Sequence, residues 1–176
     1  MVFAGTFRQM PMGRVPYIWV DNELSLIRGL VQGFPKKMGQ VFMTRPVDIG
    51  RGGSRKAPGG RFAAHVSSMG RRLATASVVI EGEAAGALPT GLRPLLHTRL
   101  WPSLGGDRPA VHELSTVAVT DIAMGTLWKG AATLEFGEAE FEELHLLAPR
   151  ALGSGWVYST AFSVTGGQAI PLGGDA

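Results

Sequence analysis

The 176-residue sequence predicts an α+β protein that is mainly antiparallel β, with one important helix. Two observations lead to this class. β-Branched and aromatic segments recur between Gly- and Pro-containing turns along most of the chain, and a single stretch, "DNELSLIRGLVQGF" (21–34), has helical spacing behind a capping residue. A third observation removes the main competitor: strands and helices do not alternate as a doubly wound α/β sheet requires. The length suits one domain over residues 1–176. With 45% hydrophobic and 18% charged residues, the chain can bury a core.

The first fourteen residues, "MVFAGTFRQMPMGR", hold no basic segment followed by an apolar one, so no signal peptide is evident. "VPYIWV" (15–20) reads as a strand. Asp21 or Asn22 then caps a helix of about residues 22–32, and Glu23 favours its positive end. Leu24, Ile27 and Val31 recur at helical spacing, with Leu26 and Leu30 beside them. Gly29 weakens the helix, Gly33 closes it and Pro35 stops it. "QVFMTR" (40–45) is the next strand, and "GRGGSRKAPGGR" (50–61) reads as a mobile, solvated loop. Residues 61–83 form a hairpin about Met69-Gly70. Further strands fall within 95–103, 110–137 and 153–164, with turns at Gly105-Gly106, Met124-Gly125 and Gly153. Residues 138–147 suggest a short acidic helix or an irregular connection, and the tail from Thr165 reads as frayed.

Composition narrows the partners. No apolar run is long enough to span a membrane. The absence of cysteine removes disulfides and thiolate catalysis, and with no leader the expected location is cytoplasmic. Residues 1–72 hold 12 Lys/Arg against 3 Asp/Glu, and residues 73–176 hold 5 against 11. No aromatic–basic motif accompanies the basic half, so nucleic acid is not an expected partner.

The chemical signal is "RGLVQGFPKKMG" (28–39). Arg28 and Gln32 share one helix face, and Lys36 follows Gln32 by another four residues. Arg28 offers a fork for a carboxylate, Gln32 a donor and an acceptor, and Lys36 an amine. An anion-binding group beside an amine suits a keto acid, whose ketone would meet the lysine. Such an amine must be neutral to attack, and a free lysine titrates near ~10.4. Burial or a neighbouring cation lowers that value, and Phe34, Pro35, Met38 and Lys37 lie next to Lys36 in sequence. The competing structural reading is a solvated lysine pair complementing the helix C-terminus.

At these residues the sequence resembles the acetoacetate decarboxylase family. "WVDNELSLIRGLVQGFPKKMG" (19–39) is similar to the family's strand, helix and Pro-Lys-Lys block, and is closest to the decarboxylase-like branch. "APGGRF", "RRLATA", "RPAVHEL" and "ATLEFGEAEFEELHLLAP" follow in family order, so the resemblance runs from about residue 14 to 164. It implies a closed β-barrel with helices outside, incomplete here at its N-terminal side. The family segment that precedes "WVDN" and carries an active-site glutamate has no counterpart in this sequence, and the edges thereby exposed favour a homo-oligomer. The resemblance also implies that Lys36 forms a Schiff base, that Lys37 tunes it, and that Arg28 and Gln32 contact the substrate's carboxylate side. A lysine desolvated or set beside another cation is the family's established means of making the amine nucleophilic.

Other candidates are weaker. "HELST" is not HExxH, and His65, His97, His112 and His145 are scattered, so they read as packed or surface residues with no metal site expected. Glu113 is better explained by an ion pair than by general-base work. Tyr158 on the last long strand reads as core or barrel lining. Ser67, Ser68 and Ser115 lack a nucleophile elbow. The expected activity is therefore a cofactor-independent Schiff-base lyase acting on a small keto acid, with decarboxylation first. Aldol–dehydration on pyruvate or a related 2-oxo acid is its rival. The alternative from another class is a binding or structural relative that lacks the chemistry.

Overall fold

The computed structural model describes residues 2–50, 52–86, 93–137, 144 and 146–171. In chain order the elements are β1 (Phe3–Phe7), β2 (Met10–Arg14), β3 (Ile18–Val20), α1 (Glu23–Gln32), β4 (Lys36–Met38), β5 (Gln40–Met43), β6 (Arg61–Ser68), β7 (Arg71–Glu83), β8 (Leu95–Trp101), β9 (Val111–Met124), β10 (Trp128–Phe136), β11 (Gly155–Val157) and β12 (Thr160–Pro171). They fall into two compact units. One comprises Met1–Met38, Ala87–Ile122 and Ala161–Ala176; the other comprises Gly39–Gly86 and Ala123–Thr160.

The first unit holds a five-stranded sheet in the order β1-β2-β8-β9-β12. β1 and β2 form a tight hairpin through Arg8 (φ 47°) and Gln9 (φ 67°). Both turn residues are left-handed, the geometry that matches strand twist in two-residue hairpins. β2 meets β8 in parallel at Gly13 and Leu95, and β8 pairs antiparallel with β9. Within the β8–β9 ladder, Arg99 and Glu113 stand opposite each other and form an ion pair. Arg99 also donates through Nε to the Val31 carbonyl at the end of α1, 2.9 Å away.

α1 is the crossover between two short parallel strands, β3 and β4, with Ile18 opposite Lys36 and Trp19 opposite Lys37. Asn22 caps its start by accepting from the Ser25 amide at 2.9 Å. At its other end Gly33 is left-handed (φ 84°). Phe34 N–H donates to the Gly29 carbonyl and Gly33 N–H to that of Leu30, at 2.8 and 3.2 Å. A Cβ on Gly33 would lie 2.6 Å from Arg99 Cγ, so glycine is required there by both conformation and space. Below the helix end, Phe34 packs on the buried His97 ring with centroids 4.1 Å apart. Met12, Val15 and Val117 complete this core.

The second unit is an antiparallel sheet in the order β11-β10-β7-β6-β5. Its centre is the long β6–β7 hairpin, turning at Met69 (φ 50°) and Gly70 (φ 75°) as the sequence predicts. Phe62, Leu73, Ile80, Leu127 and Leu144 are its buried apolar residues among those described.

Several expectations need correction. The β1–β2 hairpin is absent from the sequence reading, because its turn residues are Arg-Gln rather than the Asn-Gly or Asp-Gly that signal such turns. Lys36 and Lys37, placed by the sequence just beyond the helix end without an assigned element, lie on β4. The Gly-rich segment is pinned, with Gly59 N–H on the Ile80 carbonyl (2.7 Å) and Ile80 N–H on that of Gly60 (2.8 Å). The tail continues as β12 to Pro171 rather than fraying at Thr165, since β12 hydrogen-bonds to β9. Tyr158 sits between β11 and β12, not on a strand. Most of 138–147, including His145, lies outside the described residues, as do 172–176.

Burial, reinforced by the Arg14 cation, lowers His97 from 6.5 to about 4. Between those values the unfolded chain binds a proton that the native state refuses. The contribution to stability is therefore complete above about 6.5 and is lost as pH falls toward about 4. Urea unfolding across this range should show declining stability, and His97→Leu should flatten the decline. An unchanged slope in the variant would place the pH dependence elsewhere.

Candidate functional site

The site is built on the β3–α1–β4 crossover. A cavity of about 400 Å³ opens beside it, and Ser25, Arg28, Gln32 and Lys36 line its polar side. Ile18, Phe34 and Val164 contribute apolar wall. Arg28 and Gln32 are one helical turn apart and thus share the face that looks onto the cavity. Among the described residues neither forms an ion pair, and neither head group has a hydrogen bond to a protein partner, so both are open to a ligand.

Lys36 reaches this space by crossing the helix at Gly29. A Cβ on Gly29 would lie 2.6 Å from Lys36 Cε and 2.8 Å from its Cγ. Gly29 is also the helix's one buried residue among those described. The lysine stem thus fills the place where another residue would carry a side chain. Its amino group donates to the Ser25 carbonyl at 2.8 Å and lies 2.9 Å from Ser25 Oγ, with the Phe34 ring centroid 5.7 Å away. Burial, and secondarily the Arg28 charge, lowers the Lys36 pKa below that of an ordinary lysine. Two N–H bonds held by Ser25 would leave the lone pair of a neutral amine for a third direction.

Lys37 is placed differently. Adjacent strand residues point to opposite faces, and Lys37 does not line the cavity. Its amino group lies 4.8 Å from the Tyr17 ring centroid. The cation that acts on Lys36 is therefore Arg28, distant by eight residues in sequence but close through the crossover.

Of the four residues singled out from sequence, Arg28, Gln32 and Lys36 come together and Lys37 stands apart. Ser25 escaped the sequence reading. Its signal is the helix face itself: 25, 28, 29 and 32 are neighbours at three- and four-residue spacing. The other candidates do not join this cavity. Glu113 is engaged by Arg99, His97 is packed on Phe34, and His65 stacks on Phe42 with centroids 4.9 Å apart. No group of three or more metal-ligating side chains occurs among the described residues.

This is a mainly antiparallel β protein whose cavity presents the Arg28 cation beside a lysine of lowered pKa. The acetoacetate decarboxylase (ADC) family model matches residues 1–170, and the chain belongs to that family. Among solved structures it is similar to the enduracididine biosynthesis enzyme MppR complexed with the condensation product of pyruvate and imidazole 4-carboxaldehyde. The TM-score is 0.89 at 36% identity, over 97% of this chain and 64% of that one. The same enzyme complexed with pyruvate gives 0.87 at 35%, over 96% and 63%. An acetoacetate decarboxylase-like enzyme from Sphingomonas wittichii RW1 gives 0.83 at 30%, over 97% and 66%. The chain thus spans slightly less than two thirds of the length of these proteins. No curated protein matches it in sequence.

Gly29→Ala should leave α1 folded but expel the lysine stem, since a flexible side chain yields more easily than the helix backbone. Acylation of Lys36 followed against pH by peptide mapping should then move toward the behaviour of an ordinary lysine. An unaltered Lys36 profile in a folded variant would refute the crossing.

Proposed function

We propose that this chain carries the Schiff-base centre of a carbon–carbon lyase acting on a small keto acid. The observation that supports this most directly is the lowered pKa of Lys36 inside a cavity that also presents Arg28 and Gln32. The neutral amine attacks the ketone carbon. The carbinolamine loses water and leaves an iminium, which withdraws electrons from the adjacent carbon. Arg28 holds the substrate carboxylate in a bidentate pair and Gln32 orients it. Lys37 keeps in this reading the tuning role that the family resemblance implies, from a position outside the cavity lining. One family model spans both compact units, which supports treating residues 1–176 as a single domain.

Two reactions share this iminium. Decarboxylation is the reaction that the family is named for. It requires a 3-oxo acid, because carbon dioxide leaves only from the carbon next to the iminium. Aldol addition with dehydration requires a 2-oxo acid such as pyruvate, whose carboxylate remains attached throughout. A specific observation favours the second reading. Identity reaches 35–36% with a protein complexed with pyruvate or with its condensation product. The site chemistry agrees, since an arginine that clamps a carboxylate stabilises it against departure as neutral carbon dioxide. The proposed setting is a cytoplasmic homo-oligomer.

Pyruvate or acetoacetate with borohydride should add mass at Lys36. The rate should rise with pH and level off below the value for an ordinary lysine. A folded protein that gives no adduct with either acid would refute the Schiff-base reading. Carbon dioxide release with acetoacetate, or condensation of pyruvate with an aldehyde, separates the two reactions. Arg28→Ala should weaken keto-acid binding about tenfold or more, in keeping with a lost charged hydrogen bond of ~1.5–3 kcal/mol. It should also shift the trapping profile to higher pH. Unchanged affinity would remove Arg28 from the carboxylate site.

A further inference from the structure

The second compact unit holds a cavity of its own, of about 520 Å³. Its walls include Phe62, Ala76, Val78 and Trp156, and its polar groups include Lys56 and Ser159. Phe62 stands opposite Val78 across β6 and β7, so both project to the same face of the sheet. The alanine keeps that face low and leaves the space open.

The polar lining sorts into engaged and available groups. Thr44 Oγ1 accepts from the Ala63 amide, Ser77 shares a hydrogen bond with Thr133, and the Thr160 hydroxyl donates to the Ala123 carbonyl. Lys56 differs. Its Nζ lies 2.5 Å from Ser159 Oγ, and no carboxylate among the described residues forms an ion pair with it. Lys129 lies over the Trp156 ring at 5.9 Å but does not line the cavity, so Lys56 is the cation that faces it. An apolar chamber with an uncompensated cation favours a ligand with an apolar body and one negative head.

We propose that this cavity binds an amphipathic monocarboxylate. The carboxylate pairs with Lys56 and accepts from Ser159, and the hydrocarbon body lies against Phe62, Val78 and Trp156. A carboxylate fits better than a phosphate because one ammonium and one hydroxyl match a single charge. The site is composed of other residues than the Lys36 cavity and does not depend on the Schiff-base reading.

Octanoate is a suitable probe, titrated calorimetrically into the full chain. Saturable one-site binding is expected. Lys56→Met, which keeps the side-chain length, should weaken it at least tenfold, and Ala76→Phe should abolish it by filling the chamber. Lys36→Ala should leave octanoate binding unchanged, which separates this site from the keto-acid cavity. Octan-1-ol, lacking the charge, should bind Lys56→Met and the native protein alike. The proposal is overturned by no saturable binding to the folded native chain. It is equally overturned by native-like affinity in Lys56→Met, or by loss of binding in Lys36→Ala.

Discussion

The candidate site depends on a steric exchange: the stem of Lys36 occupies the place of a side chain at Gly29. A glycine inside a helix costs about 1 kcal/mol relative to alanine. That cost makes sense once the helix surface is seen as the bed for a lysine from the following strand. The helix then supplies the amine's acceptors from Ser25, one turn earlier, and its neighbouring cation from Arg28. The left-handed Gly33 and its two hydrogen bonds reverse the chain at the right place to send β4 back along β3. Changing Gly29 therefore acts on the amine before it acts on the fold, whereas a side chain at Gly33 would strain the chain reversal itself.

The same helix shows what the site does not need. Leu24 and Ile27, whose spacing identifies the helix in sequence, are 75% and 59% exposed. Periodicity located the element correctly but did not place its apolar stripe in the core of this unit. Helical order here comes from the Asn22 cap, the Gly33 termination and the Arg99 bond to the Val31 carbonyl. Arg99 is held in turn by Glu113 across the sheet. An ion pair that could have been taken for acid–base machinery thus anchors the C-terminal end of α1.

How much was legible follows from where each signal resides. The β6–β7 hairpin, the β9–β10 turn and the helix bounds rest on local features: turn glycines, β-branched runs and caps. These are readable one segment at a time. β1–β2 was invisible because Arg8 and Gln9 adopt left-handed turns without the usual residues. The persistence of β12 was also hidden, since its partner β9 is remote in sequence. For the site, four-residue spacing predicted that Arg28, Gln32 and Lys36 meet, and they line one cavity. Ser25 and the purpose of Gly29 were not readable, because both depend on the path of one side chain across a helix.

The order of the causes that act on Lys36 bears on how the proposed reaction could proceed. Burial is the larger cause and Arg28 the smaller. A substrate carboxylate docked on Arg28 would neutralise part of that cation's field and, on this account alone, return the amine toward its charged form. The same substrate also expels water from the cavity and deepens the desolvation that already dominates. The two effects oppose each other, and the larger one moves in the useful direction. A neighbouring cation alone would fail at the moment of binding. A lysine laid across the helix at Gly29 keeps the burial that lowers its pKa with the cavity filled, which gives Gly29, Phe34 and the crossover a chemical as well as a structural part.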